Sequence, residues 1–111
     1  MHELSLCQAI AGAVKPYAGG RHIDVVRVTV GALRQVVPES LSFCWTLVRD
    51  YEDMPDAELE LEFVPAEVQC RSCGQHSTIT SRWSLLCPDC ESADVELLHG
   101  DEFLVTSLDV S

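Results

Sequence analysis

Four cysteines fall into two C-x-x-C pairs, Cys70-Arg-Ser-Cys73 and Cys87-Pro-Asp-Cys90, separated by thirteen residues. Each pair can aim two sulfurs at one metal ion, and two pairs at this spacing have the arrangement of zinc-ribbon knuckles. Zinc takes four thiolates at about 2.3 Å in a tetrahedral shell that leaves no position for a substrate water, so the predicted site is structural. A hydrolytic metalloenzyme needs an open metal position and a general base, and the four-cysteine set offers neither. Two disulfides, four unrelated thiols or an iron tetrad of rubredoxin type are the other readings of these residues. His76, three residues past Cys73, has an imidazole that can replace a thiolate on zinc; the plainer reading is an exposed histidine.

A second set of donors stands at the amino terminus. In Met1-His2-Glu3 the α-amine, the His2 backbone nitrogen and the His2 imidazole can chelate one ion in fused rings, and the Glu3 backbone nitrogen can complete a plane. A planar nitrogen set suits nickel(II) or copper(II). Against this stands the ordinary expectation that a histidine at position 2 is a solvated terminus.

These donors must be held by the elements around them. Leu4, Cys7, Ala11 and Val14 recur at helical spacing, flanked by Leu6, Ile10 and Tyr17, and predict a helix that begins near residue 3. Pro16 and then Gly19-Gly20 should kink or stop it between about residues 15 and 18. The β-branched run Ile23 to Val30 predicts a strand with Val26, Val28 and Val30 on one face. Pro38 suits the first turn of a second helix, whose buried stripe Leu41, Cys44, Trp45 and Val48 ends near Tyr51. Cys7 and Cys44 thus read as core residues.

Residues 57–64 alternate Leu59, Leu61 and Phe63 with Glu58, Glu60 and Glu62, the pattern of a strand with one buried face, and 102–110 also reads as a strand. The intervening residues hold both cysteine pairs and are too many for a simple loop, so they form a module of their own. The predicted fold class is α+β: a three-stranded sheet covered by two helices, with an inserted four-cysteine zinc-ribbon-like lobe. Residues 1–64 with 101–111 form the first domain and 65–100 the zinc-binding one. Its core of Val68, Ile79, Trp83, Leu85, Leu86, Val95 and Leu97 is too small to fold without help, so metal binding should supply much of its stability.

Composition limits the partners. Eighteen acidic residues stand against seven Lys plus Arg, a net charge of −11, which disfavours a nucleic-acid partner. No 18-residue apolar run and no basic, signal-like start is present, and C-x-x-C pairs suit a reducing compartment, so a cytoplasmic protein without a membrane partner is expected.

Taken together, Met1-His2-Glu3-Leu4-Ser5-Leu6-Cys7-Gln8, the Val30-Gly31 strand end, Val37-Pro38-Glu39-x-Leu41-x-Phe43, the Leu-Glu strand and the two knuckles resemble the hydrogenase nickel-incorporation (HypA/HybF) family along essentially the whole chain. The resemblance implies a nickel metallochaperone rather than an enzyme. It implies nickel cargo at Met1, His2 and Glu3, and structural zinc on Cys70, Cys73, Cys87 and Cys90. The cargo would pass to the precursor of a [NiFe]-hydrogenase large subunit. The implied partners are a nickel-loading maturation GTPase and, in some relatives, urease maturation factors; the chain would act as a monomer or homodimer. His99, where the chain leaves the lobe, and Glu39, in the first turn of the second helix, are further candidates near metal; for Glu39 the helix dipole is a sufficient reason. The competing reading is a zinc-ribbon protein-interaction module without nickel transfer.

Overall fold

The computed structural model describes residues 2–80 and 85–111, with the backbone alone at His2. Met1, the His2 side chain and Trp83 therefore lie outside the described residues. The chain divides into two compact units, Met1–Thr29 with Val36–Glu62 and Leu104–Ser111, and Val30–Gln35 with Phe63–Phe103.

In the first unit, helix α1 (His2–Ala18) carries Cys7, Ile10, Ala11, Val14 and Ala18 on its buried face. Pro16 lies in its last turn, where the missing N–H costs one hydrogen bond back to Gly12 without breaking the helix. Gly19 and Gly20, at φ +61° and +82°, then turn the chain, and the Arg21 N–H and Nε both donate to the Ala18 carbonyl. Leu4 and Tyr17 fall outside the buried stripe that the sequence gives them, with 38% and 78% of their surface exposed.

Helix α2 (Pro38–Tyr51) opens with proline at its first turn, buries Leu41, Trp45 and Val48, and packs against α1. Burying each such side chain contributes roughly 1.5–3 kcal/mol. Polar atoms taken along are satisfied: Trp45 Nε1 donates to the Ala57 carbonyl at 2.8 Å, and Cys7 Sγ to the Leu41 carbonyl at 3.4 Å. Burial, then the proximity of Cys44 and Glu3, pushes the Cys7 thiol up to about 12, so it stays a neutral core donor. Cys44 is only half-buried.

The sheet runs in the order β2-β1-β6, with β1 (Ile23–Gly31) between β2 (Glu58–Val64) and β6 (Phe103–Val110). Val26, Val28 and Val30 are fully buried, as a central strand requires. His22 and Ser111 exchange both backbone hydrogen bonds, an antiparallel pairing. Arg27–Glu60 and Thr29–Glu62 advance in step, as parallel strands joined by a crossover helix do. The wet face is a charge ladder: Arg27 binds Glu60 on one side and both carboxylate oxygens of Asp109 on the other. Phe63, past the end of the unit at Glu62, is 44% exposed rather than buried.

The second unit is built on a separate sheet, antiparallel throughout and of order β4-β3-β5, from β3 (Ala66–Cys70), β4 (His76–Ile79) and β5 (Val95–His99). Its core is Ala66, Val68 and Ile79, with Val95, Leu97 and Leu33 packed on it. Leu33 comes from the 3-10 turn Ala32–Arg34, far away in sequence, and helps close a core that Leu85 and Leu86 were expected to fill. Both of those leucines are exposed instead.

Candidate metal centre

β3 ends on Cys70, and the chain turns at once through Arg71, Ser72 and Cys73. In that turn the Gly74 N–H donates to the Cys70 carbonyl at 3.0 Å, and the Cys70 N–H donates to the Gln75 carbonyl at 2.9 Å. The second knuckle repeats this bond for bond: Glu91 N–H to the Cys87 carbonyl at 2.8 Å, and Cys87 N–H to the Ser92 carbonyl at 3.0 Å. The residue after the second cysteine is left-handed in both, Gly74 at φ +79° and Glu91 at φ +63°. The Ser72 and Ser92 hydroxyls meet across the knuckles at 3.0 Å, and Arg71 ties the first knuckle to the entry of β5 through Asp94 at 3.1 Å.

The two turns bring the four sulfurs within 4.8 Å of one another. Cys70 and Cys90 are 3.6 Å apart, and Cys73 and Cys87 3.7 Å, so each close pair takes one sulfur from each knuckle. A tetrahedron with bonds of about 2.3 Å has edges of about 3.8 Å. A disulfide needs about 2.05 Å. The four sulfurs thus fit a single tetrahedral metal ion of zinc type, and all of them are free thiols. The first cysteine of each pair is buried and the second exposed.

Full ionisation of the four thiols depends on a cation. The Cys73 N–H, donating at 3.4 Å, leads the effects that lower the Cys70 thiol to about 7. The Ser92 N–H pulls Cys90 down, but its contact with Cys70, burial and the two other cysteines outweigh that and hold it up at about 12. The Gln75 N–H likewise pulls Cys73 down, with Cys90 adding to it, yet burial and the Cys70 and Cys87 sulfurs leave it raised. Four thiolates cannot share this space unless a positive charge joins them.

The remaining candidates are placed apart from the tetrad. His76 opens β4, opposite Gln69, and its Nε2 bonds Glu67 at 2.9 Å; no histidine joins the sulfur cluster among the described residues. His99 ends β5 with Nδ1 on Glu102 at 3.2 Å. Glu102 is held below the usual carboxylate range by its own N–H and that of Gly100, with His99 adding to them. Glu39 is exposed in the first turn of α2. The Glu3 carboxylate accepts from the Val37 N–H at 3.3 Å, which links the start of α1 to the residue that precedes α2. Glu67 and Glu102, the partners of the two histidines, carry no spacing signal that could have marked them.

A family model described as hydrogenase/urease nickel incorporation, metallochaperone, hypA, matches residues 1–110. Among curated relatives, the hydrogenase maturation factor HypA of Moorella thermoacetica is 32% identical over 108 residues, 95% of each chain. HypA 2 of Bradyrhizobium diazoefficiens is 34% identical over 113 aligned positions, 99% of each. The solution structure of the Ni metallochaperone HypA from Helicobacter pylori superposes with a TM-score of 0.68 at 22% identity, over 99% of this chain and 97% of that one, a likeness of fold. With the tetrad formed and the match running from the first residue almost to the last, the chain belongs to the HypA family of nickel-incorporation metallochaperones for hydrogenase maturation.

Proposed function

We propose that this chain carries one nickel(II) ion at its amino terminus and hands it to the precursor of a [NiFe]-hydrogenase large subunit. The Met1 amine, the His2 imidazole and backbone nitrogen, and the Glu3 backbone nitrogen are the ligands. The observation that carries the reading is that α1 starts at His2. The first four N–H groups of a helix have no intrahelical acceptor, so the His2 and Glu3 nitrogens can enter a metal plane without breaking the helix. The positive end of the helix dipole also favours loss of an amide proton there. The Glu3 carboxylate, for its part, accepts from the Val37 N–H.

Cys70, Cys73, Cys87 and Cys90 hold zinc in this reading, with no vacant position for chemistry on a substrate. When bound, zinc supplies the charge that lets four thiolates coexist and the cross-link that a small lobe lacks. The chain delivers cargo and catalyses nothing. Its partners are a nickel-loading maturation GTPase and the hydrogenase precursor, with urease maturation factors as further recipients, and it works in the cytoplasm.

Nickel binding requires protons to leave the amine, the imidazole and any coordinating amide, so affinity rises with pH and acid promotes release. Calorimetric titration of untagged protein should give one nickel per chain, and His2→Ala should abolish it while zinc content stays at one. An extension at the amino terminus should act like the substitution, because it turns the amine into an amide. Nickel retained by His2→Ala at wild-type affinity would overturn the assignment.

A further inference from the structure

Helix α2 carries more apolar surface than the fold covers. Leu41, Trp45 and Val48 are buried, yet Phe43, Leu47 and Tyr51, one turn apart along a second row, are 64%, 53% and 88% exposed. A helix with apolar residues on two faces is ordinarily packed on both. Beside this row an open groove of about 320 Å³ runs between the helices, lined by Leu4, Gln8, Leu47, Val48, Tyr51 and Glu52. Leu4, itself 38% exposed, continues the apolar surface onto α1.

The charges around the row select the occupant. Glu39 is the next member of the same i, i+4 row toward the amino end, Asp50 lies three residues past Leu47, and Asp53 follows the helix; all three are exposed. The nearby cations are committed within the unit. Lys15 is bound to Glu52 at 2.7 Å, and Arg49 donates to the Ala57 carbonyl at 3.0 Å and faces Glu58. A second copy docking through this row in antiparallel fashion would set Glu39 against Asp50 and Asp53, between chains that each carry −11. Like charges across an interface oppose binding, whereas opposite charges set both partner choice and orientation.

We infer that the Phe43-Leu47-Tyr51 row and the adjoining α1–α2 groove form a docking surface for an amphipathic helix of a partner protein, with Lys or Arg flanking its apolar stripe. Aromatic anchors one turn apart and a groove beside them are the parts that helix-in-groove recognition uses. The surface is independent of nickel, and its test is done without it.

The test uses the full zinc-loaded chain and a designed basic amphipathic peptide of about five helical turns, with a twin of the same apolar face flanked by Glu. The basic peptide should bind and shift the amide resonances of Phe43, Leu47 and Tyr51, and added salt should weaken it. Leu47→Asp, at an exposed position that leaves the core intact, should weaken binding about tenfold or more, and Glu39→Lys with Asp50→Lys should reverse the preference toward the acidic twin. Equal binding of the two peptides by the wild type, or shifts confined to the acidic sheet face around Glu58, Glu60 and Glu62, would overturn the inference. So would a concentration-dependent dimer that Leu47→Asp abolishes, because the occupant would then be a second copy.

Discussion

Glu91 adopts in the second knuckle the left-handed conformation that Gly74 adopts in the first. That conformation costs a residue with a Cβ roughly 1–2 kcal/mol, part of which glycine forfeits through its freer unfolded chain. Glu91→Gly should therefore stabilise the lobe by up to about 1 kcal/mol. Gly74→Ala should destabilise it by about 1 kcal/mol or more, although a Cβ there meets no other atom within 4 Å. Denaturant unfolding of the two variants checks both, and equal effects of one sign would refute the equivalence of the knuckles. His22 makes a pH prediction at the same scale. Its imidazole bonds Asp24 at 2.8 Å and Asp56 at 3.0 Å, and those carboxylates, Asp24 first, raise it above its usual 6.5. A raised folded value means the pairing stabilises fully below pH 6.5 and fades as pH climbs through the folded value. Relative to His22→Gln, the wild type should lose stability as pH rises from 6.5 into that range, and an NMR titration should place His22 above 6.5. A titration at or below 6.5 would exclude the pairing.

Between elements, the chain passes itself at Gly31, Gly100 and Ala66 with no room for side chains. A Cβ on Gly31 would meet the Gly100 carbonyl group at 2.2 Å, and one on Gly100, at φ +126°, would meet the Ala66 Cα at 2.7 Å. The Gly31 N–H donates to the Glu102 carbonyl and the Leu33 N–H to the Gly100 carbonyl, both at 2.7 Å. Because the obstacles are backbone atoms that no rotamer change can move, Gly31→Ala should cost about 3 kcal/mol, the upper end for overpacking. A melting temperature within error of the wild type would show that the crossing relaxes freely. The Val30-Gly31 strand end is legible in the sequence as part of the family resemblance, whereas the reason for it is not, because Gly100 approaches from 69 positions away. The lobe's own strands escape the pattern for a similar reason. β3 and β4 are five and four residues long, and they are held by pairing and the cysteine turns rather than by an alternation strong enough to announce them.

For the whole molecule, the two units differ in what maintains them. The first buries Trp45, Leu41 and a row of valines, while the second has Ala66, Val68 and Ile79 at its centre. Removing the metal proposed for the tetrad with a chelator should abolish the dispersed amide signals of residues 63–103 and leave the helical circular dichroism of α1 and α2 largely intact. A lobe that keeps its signals after verified metal loss would show that its core suffices alone. The sequence by itself determined the helices, the central valine strand, the α+β class and the membership of the two cysteine pairs, since periodicity, proline position and C-x-x-C spacing are local properties. Only the tertiary structure decided that Leu33 packs on the lobe's core while Leu85 and Leu86 lie exposed, and that Leu4 and Phe63 lie exposed too. It alone left a second apolar row on α2 uncovered. Burial depends on which distant segments arrive, and no local pattern records that.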